Sequence, residues 1–343
     1  MAGVVAGPSG LQQLWFFLIA VLWLGYFFLE GFDFGVGILL PFVSRDDTDR
    51  RVVVNTIGPV WDGNEVWLLV AGGATFAAFP TWYATLFSGF YLALFVLLAA
   101  LIFRGMAFEM RHRRDDARWR ARWDLALFWG SAVPAFLWGV AFADFVHGVP
   151  LGPHHVMEGT VLDLVKPYAL VGGLATLALF SLHGAAYLGL KTEGALRERA
   201  REAGQRLAPI ALVAVGALLT WTYLSAHAWH HVGLVPPLLP ILGLGALASV
   251  GWLIHERQEG WAFVATAFAI VALFATLLLN LYPNVLVSSL RTAYDLTIAE
   301  SASQRYTLEV MSWVALIFTP VVLAYQTWSY WIFRRRVRRP DGH

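Results

Sequence analysis

Long apolar runs alternate with short charged segments along the whole chain. Nine of the runs approach or exceed the roughly 20 residues that a helix needs to cross the hydrocarbon core of a bilayer: 11–41, 52–78, 81–103, 123–145, 163–190, 207–228, 236–254, 261–282 and 306–333. They are continuously apolar, whereas the strands of a membrane barrel alternate over about 10 residues. The pattern therefore predicts an all-α integral membrane protein of nine transmembrane helices, forming one polytopic domain over 1–343. No connection is long enough for a separate soluble domain; the longest are 104–122, 146–162 and 283–305. The first run has no basic residue before it and leads into acidic helix rather than a small-residue cleavage site, so a cleavable signal peptide is not expected.

A faint internal echo accompanies the pattern. Leu29-Glu30-Gly31-Phe32-Asp33-Phe34-Gly35 in the first run is similar to Leu182-His183-Gly184-Ala185-Ala186-Tyr187-Leu188 in the fifth. Arg122-Trp123 precedes the fourth run as Gly260-Trp261 precedes the eighth. A four-plus-four pseudo-repeat with one added helix fits this spacing.

Composition strengthens the membrane reading and removes several kinds of chemistry. Of 343 residues, 58% are hydrophobic and 14% charged, too few charges for a water-facing surface of this size. The absence of cysteine excludes disulfides, iron–sulfur clusters, thiolate zinc sites and cysteine nucleophiles. No phosphate-binding loop, dinucleotide fingerprint, nucleophile triad or zinc-protease motif occurs. The net charge of +1 hides a strong segregation of charge and says nothing about acidic partners; no nucleic-acid partner is expected.

The distribution of that charge matters more than its sum. With nine spans, 21 of the 24 Lys and Arg residues fall on the side of the C-terminus, among them seven arginines from Arg104 to Arg122 and five from Arg334 to Arg339. Only Lys166, Arg291 and Arg305 lie on the other side. The positive-inside rule then puts the N-terminus outside and the C-terminus in the cytoplasm. Trp15, Trp82, Tyr83, Trp123, Trp252, Trp261, Trp328 and Trp331 sit near span ends, as interfacial anchors do.

Ionisable residues within spans cost roughly 2.5 kcal/mol or more unless they face protein or water. Two groups stand out: Glu30 and Asp33 in the first run, and Asp62 and Glu65 in Trp61-Asp62-Gly63-Asn64-Glu65-Val66-Trp67 of the second. Each pair has i, i+3 spacing and shares a helix face. A continuous second helix entering near residue 52 would put Asp62 about 15 Å deep, at a depth overlapping Glu30 and Asp33. Clustered buried carboxylates can hold and exchange protons near neutral pH, as a proton-entry path requires. They could equally pin two helices together. The proton role is preferred for Asp62, and either role suits Glu30, Asp33 and Glu65. Asp144, Asp163 and Lys166 are expected at the outer interface.

Haem ligation needs His or Met within the helices, and only His183 and Met311 qualify. That is too few for a multi-haem protein, and His183 reads as a packing residue. His147, His154, His155, His227, His230 and His231 fall at or beyond the outer face as solvated loop residues, so no metal site is expected. Two classes remain: a proton-handling subunit of a redox complex whose cofactors lie elsewhere, and a proton-coupled secondary transporter. Acids confined to the first two runs, rather than matched between halves, favour the subunit.

The motifs themselves resemble a known family. Glu30-Gly31-Phe32-Asp33-Phe34-Gly35-Val36-Gly37 and Gly58-Pro59-Val60-Trp61-Asp62-Gly63-Asn64-Glu65-Val66-Trp67 resemble subunit II of the cytochrome bd quinol oxidases, and so do Phe87-Ser88-Gly89-Phe90-Tyr91, Gly139-Val140-Ala141-Phe142 and Met311-Ser312-Trp313-Val314. The resemblance spans nearly the whole chain. It implies a terminal oxidase of aerobic respiration in a bacterial cell membrane, reducing oxygen to water with electrons from a quinol. It also implies a pseudo-symmetric partner, subunit I, which carries two haems b, haem d and the quinol site. A small single-span subunit, membrane lipid and a structural quinone are further associates found in such complexes. Asp62, with Glu65, Glu30 and Asp33, would supply protons from the cytoplasm, and Trp67 would lie beside an oxygen path. No catalytic, cofactor-binding or metal-binding residue is expected in this chain. Two departures are Glu30, where an Asp is more familiar, and the short outer segment between the sixth and seventh spans.

Overall fold

A computed structural model describes residues 7–225 and 238–339. His227, His230 and His231 lie outside the described residues. The fold is all-α but for one two-stranded ribbon. Helix α1 spans Gly10–Val43, α2 Asp47–Ile57, α3 Trp61–Ala78, α4 Pro80–Gly89, α5 Tyr91–Met110 and α6 Ala117–His147. After the loop come α7 (Pro167–Lys191), α8 (Gly194–Leu224), α9 (Leu238–His255) and α10 (Glu259–Leu281). Strands β1 (Asn284–Leu286) and β2 (Leu296–Thr297) pair antiparallel before the short α11 (Ile298–Ser301) and the long α12 (Arg305–Ile332).

Eight of the described helices are long and apolar enough to cross a membrane: α1, α5, α6, α7, α8, α9, α10 and α12. Seven of the nine expected spans appear as single helices, although α8 starts at Gly194, well before the predicted 207, and α6 at Ala117 rather than 123. The other two are broken. The run 52–78 is not one helix but α2 and α3, separated by a turn at 58–60. Pro59 there lacks the N–H that would continue the ladder, and its ring obstructs the preceding turn. The run 81–103 is likewise split between α4 and α5 at Phe90, and α5 continues to Met110. The basic connection expected over 104–122 therefore shrinks to the segment between Met110 and Ala117.

Helix α1 starts with a capping box, in which Ser9 accepts from the Gln12 backbone N–H while the Gln12 side chain accepts from that of Ser9. Its 34 residues extend about 51 Å at the usual rise, well beyond a bilayer core of roughly 30 Å. Helices α1 and α7 form the centre, with α6, α8 and α10 around α7. They cross at a pair of glycines: a Cβ on Gly35 would stand 2.7 Å from the Gly184 Cα, inside backbone contact. Small residues permit such an approach in lipid, where packing rather than water exclusion drives association. Nearer the N-terminus of α1, aromatic rings fill the core, with Phe27 stacked on Phe274 at 3.8 Å between centroids and the Trp138 indole donating to the Tyr26 hydroxyl at 3.2 Å.

At the arginine-rich end, α2 is held by ion pairs. Arg111 reaches Asp124 and Asp47, both at 2.6 Å, and Arg50 reaches Asp124 at 3.1 Å. Arg199 binds Asp49 at 2.5 Å, and Arg339 near the C-terminus binds Asp46 at 2.6 Å and Asp49 at 3.0 Å. The backbone N–H of Asp49 and the Arg339 guanidinium hold the Asp46 carboxyl below the ordinary carboxylate range. Because this folded-state value is depressed, its contribution to stability is present at neutral pH and is lost as acidification passes below that range.

At the opposite end, the segments after α6 and α10 pack on each other, with Val149 N–H donating to Val287 O at 3.0 Å. Lys166 donates to Gly148 O at 2.8 Å and Asp163 accepts from Thr160 N–H at 2.7 Å, as interfacial residues do. Asp144 differs from expectation. It is fully buried within the chain, because α6 continues past it to His147 and the segments after α6 and α10 fold over this end.

The glycine crossing yields the first prediction. Gly35→Leu should lower the thermal stability of the purified complex by about 1–3 kcal/mol or more, the usual cost of overpacking. Gly216→Ala, where a Cβ meets nothing within 4 Å, should leave the unfolding midpoint unchanged.

Candidate functional site

Four helices bring polar side chains to one place within the bundle. Glu30 and Asp33 lie on α1, and both are fully enclosed. Helix α3 adds Asn64, fully buried, and Glu65, whose side chain is 22% exposed. Helix α5 adds Arg104, and α12 adds Gln326 and Tyr330.

Arg104 is the centre of the electrostatics. It has no exposed surface, forms an ion pair with Glu30, and lies 3.9 Å from Glu65. Its guanidinium stands over the Phe34 ring at 5.0 Å, with Phe108 at 5.8 Å and Trp61 at 6.0 Å. These rings exclude water while offering their negative faces to the cation. The arginine was counted with the basic connection on sequence grounds. It is instead the buried counter-ion of the acid cluster, since α5 extends two turns further than its strongly apolar stretch. The signal for this was the apolar Gly105-Met106-Ala107-Phe108 that follows it.

A chain of hydrogen bonds runs from the acids to α12. The Asn64 amide donates to Asp33 Oδ2 at 2.7 Å, and its carbonyl accepts from the Tyr330 hydroxyl at 2.7 Å and from Gln326 at 3.4 Å. The Trp67 indole donates to Gln326 Oε1 at 2.8 Å. Among the described residues, Glu30 Oε2 and Asp33 Oδ1 accept no hydrogen bond, so each offers a lone pair on which a proton can reside. Sequence reasoning gave no role to Asn64, Gln326 or Tyr330. The i, i+4 spacing of the last two on an otherwise apolar helix was the available signal.

Asp62 does not enter this enclosed group. The break at Pro59 makes Trp61 the start of α3, so Asp62 lies in the first turn and is exposed on the surface of the chain. The expected depth of about 15 Å rested on an unbroken helix, and the helix is broken between Ile57 and Trp61. Glu65, one turn on, is partly exposed and near enough to feel the Asp62 charge. The four expected acids therefore form a gradient from the exposed Asp62, through Glu65, to the enclosed Glu30 and Asp33.

His183 is fully buried, and both ring nitrogens are engaged. Nδ1 is 2.7 Å from the Thr266 hydroxyl and Nε2 is 3.2 Å from the Phe28 carbonyl. Since a carbonyl only accepts, Nε2 carries the proton and Nδ1 accepts. Met311 is packed against the core on α12. Among the described residues, no group of three or more His, Cys, Asp or Glu could hold a metal ion. The donor set does not fit a haem, so no chemical step is derived through one in this chain.

Comparison with known proteins identifies the family and the fold. Residues 11–333 match the family described as "Cytochrome bd terminal oxidase subunit II". The chain is 40% identical to "Cytochrome bd ubiquinol oxidase subunit 2" of Bacillus subtilis (strain 168), over 97% of this chain and 98% of that protein. It is 34% identical to "Cytochrome bd-I ubiquinol oxidase subunit 2" of Escherichia coli (strain K12), over 96% of each. A chain in the structure of bd oxidase from Geobacillus thermodenitrificans shares the fold, with a TM-score of 0.75 and 16% identity over 94% of this chain and 97% of that one. The transporter alternative finds no support among these relatives.

The cluster yields a prediction that separates its members. Arg104→Gln leaves three acids without a cation, whereas Glu30→Gln leaves Arg104 with Glu65 within 3.9 Å. Removing one partner of a buried pair costs about 3–5 kcal/mol. Arg104→Gln should therefore reduce the yield and thermal midpoint of the purified complex far more than Glu30→Gln does. Equal loss in the two variants would show that the arginine does not balance the whole cluster.

Proposed function

The chain belongs to the cytochrome bd terminal oxidase subunit II family and is a subunit of a bd-type quinol oxidase, and we propose that within that complex it carries protons inward from the cytoplasm. The observation that supports this is the gradient of burial from Asp62 through Glu65 to Glu30 and Asp33. Asp62 takes a proton at the surface, Glu65 passes it one turn along α3, and Arg104 sets how many protons Glu30 and Asp33 hold between them. A carboxyl can bind and release a proton at each stage; an amide cannot.

The same proposal includes the setting. The membrane is crossed nine times, with α2–α3 counted as one crossing and α4–α5 as another, in a single polytopic domain arranged as a four-plus-four repeat plus α12. The arginine-rich end faces the cytoplasm, in keeping with the positive-inside rule. The partner is the haem-bearing subunit I, which takes quinol and oxygen, and a small single-span subunit joins the pair. Exposed Asp62 and part-exposed Glu65 share α3 with the exposed Val66, Leu69 and Val70. Charges facing lipid are costly, so subunit I covers the part of this face that runs from Glu65 to Val70, and Asp62, in the first turn of α3, stays open to water at its edge. Trp67, packed against Gly25, stands beside the oxygen path.

Two experiments test the proposal. Asp62→Asn should suppress quinol-driven oxygen uptake at matched haem content, while Asp62→Glu retains part of it. A merely structural Asp62 would tolerate Asn better, and full activity in Asp62→Asn would exclude the proton role. His183→Ala should leave every haem absorption band in the assembled complex, because both nitrogens already have protein partners. Selective loss of one band would place a haem ligand in this chain.

A further inference from the structure

At the arginine-rich end, residues of α1, α7 and α10 and the C-terminal end of α12 line a groove. The groove has a volume of about 420 Å³, with Phe28, Phe32, Phe263, Tyr187 and Tyr330 among its walls and Lys191, Arg334 and Arg336 also lining it. Its size is in the range of ligand sites, about 300–1,000 Å³. From this geometry we infer that the groove binds a bilayer phospholipid with an anionic headgroup, one acyl chain lying on the rings and the phosphate meeting the cations.

Charge carries the first half of the argument. Most arginines at this end are neutralised within the chain: Arg111 by Asp124 and Asp47, Arg199 by Asp49, Arg201 by Glu198 and Glu259, and Arg339 by Asp46 and Asp49. Arg338 is paired with Glu193 at 3.0 Å. Arg334 and Arg336, which line the groove, have no carboxylate partner among the described residues. The Lys191 ammonium donates to the carbonyls of Phe333 and Arg335, which fixes it at the end of α12. Basic pockets between membrane helices on the cytoplasmic side suit anionic headgroups.

The walls carry the second half. Their polar atoms are already used: the Tyr330 hydroxyl donates to Asn64 at 2.7 Å and the Tyr187 hydroxyl to Thr56 O at 2.9 Å. His183 stacks behind Phe263 at 4.5 Å, with both nitrogens engaged. The aromatic walls thus leave no tyrosine or histidine donor for a quinone carbonyl, and the remaining donors in the groove, on Lys191, Arg334 and Arg336, are cations that suit a phosphate better than a neutral carbonyl. The inference does not depend on the proton path, although Tyr330 belongs to both sites.

Photolabelling of the whole complex tests the site, with phosphatidylglycerol bearing a diazirine on its acyl chain as the probe. In the wild type, label should appear on peptides containing Phe28, Phe32 or Phe263. Excess unlabelled phosphatidylglycerol should suppress it, and phosphatidylcholine with the same chains should not. The double variant Arg334→Gln with Arg336→Gln should lose about thirtyfold of the labelling at low salt, as expected for two charge contacts near a headgroup at about 1 kcal/mol each. Equal competition by phosphatidylcholine, undiminished labelling of the double variant, or stronger competition by a quinone would each overturn the inference. Should the double variant fail to assemble, the competition on the wild type decides alone.

Discussion

Arg104 and the acids around it set the terms for the rest of the bundle. A guanidinium with no solvent exposure is tolerable in a membrane protein only if carboxylates and ring faces replace its water. Glu30, Glu65, Phe34, Trp61 and Phe108 do so here, and they come from α1, α3 and α5. The approach of these helices is therefore fixed by charge as well as by packing. One cation among three acids also leaves a surplus of negative charge that protons can offset, so the structural requirement and the proposed proton chemistry rest on the same atoms.

Helix α12 is attached by a different device. Only Leu308 along its length is buried, so apolar packing within the chain contributes little to holding it. Polar bonds compensate: the Trp15 indole donates to Leu308 O and to the Ser312 hydroxyl, both at 3.0 Å, and Gln326 and Tyr330 reach Trp67 and Asn64. Hydrogen bonds of this kind hold membrane helices where the hydrophobic effect gives no preference between neighbour and lipid. Two of the α12 contacts end on Asn64, the same residue that donates to Asp33. The position of α12 and the hydrogen bonding of the acid cluster are thus coupled through one amide, and the groove beside Tyr330 lies where that coupling reaches the lipid.

The arginine-rich end shows why charge counts and charge roles differ. A count of Lys and Arg treats every basic residue as one more contribution to orientation. In the folded chain, several of those arginines instead hold α2 against α5, α6, α8 and the C-terminal segment. Such pairs are screened and individually weak when exposed, but Asp49 and Arg111 are buried, and each holds two partners, Arg199 and Arg339 for the one and Asp47 and Asp124 for the other.

Periodicity and composition alone determined that this is an all-α membrane protein, where most of its helices run, and that acids of the first two runs are set apart. Those properties follow from what a bilayer tolerates, and each can be read from local sequence. The motifs around Glu30 and Asp62 were specific enough to resemble one family across nearly the whole chain. Tertiary structure alone decided which acids meet. The turn at Pro59 brings Asp62 to the surface at the start of α3, whereas an uninterrupted apolar run had placed it deep. Arg104 looked like the first residue of a basic loop, yet two further turns of α5 bury it. Asn64, Gln326 and Tyr330 acquired roles only when α12 returned, some 260 positions later in the chain. Contacts over such separations depend on how helices cross, here at Gly35 and Gly184, and no local pattern encodes which faces will be opposed.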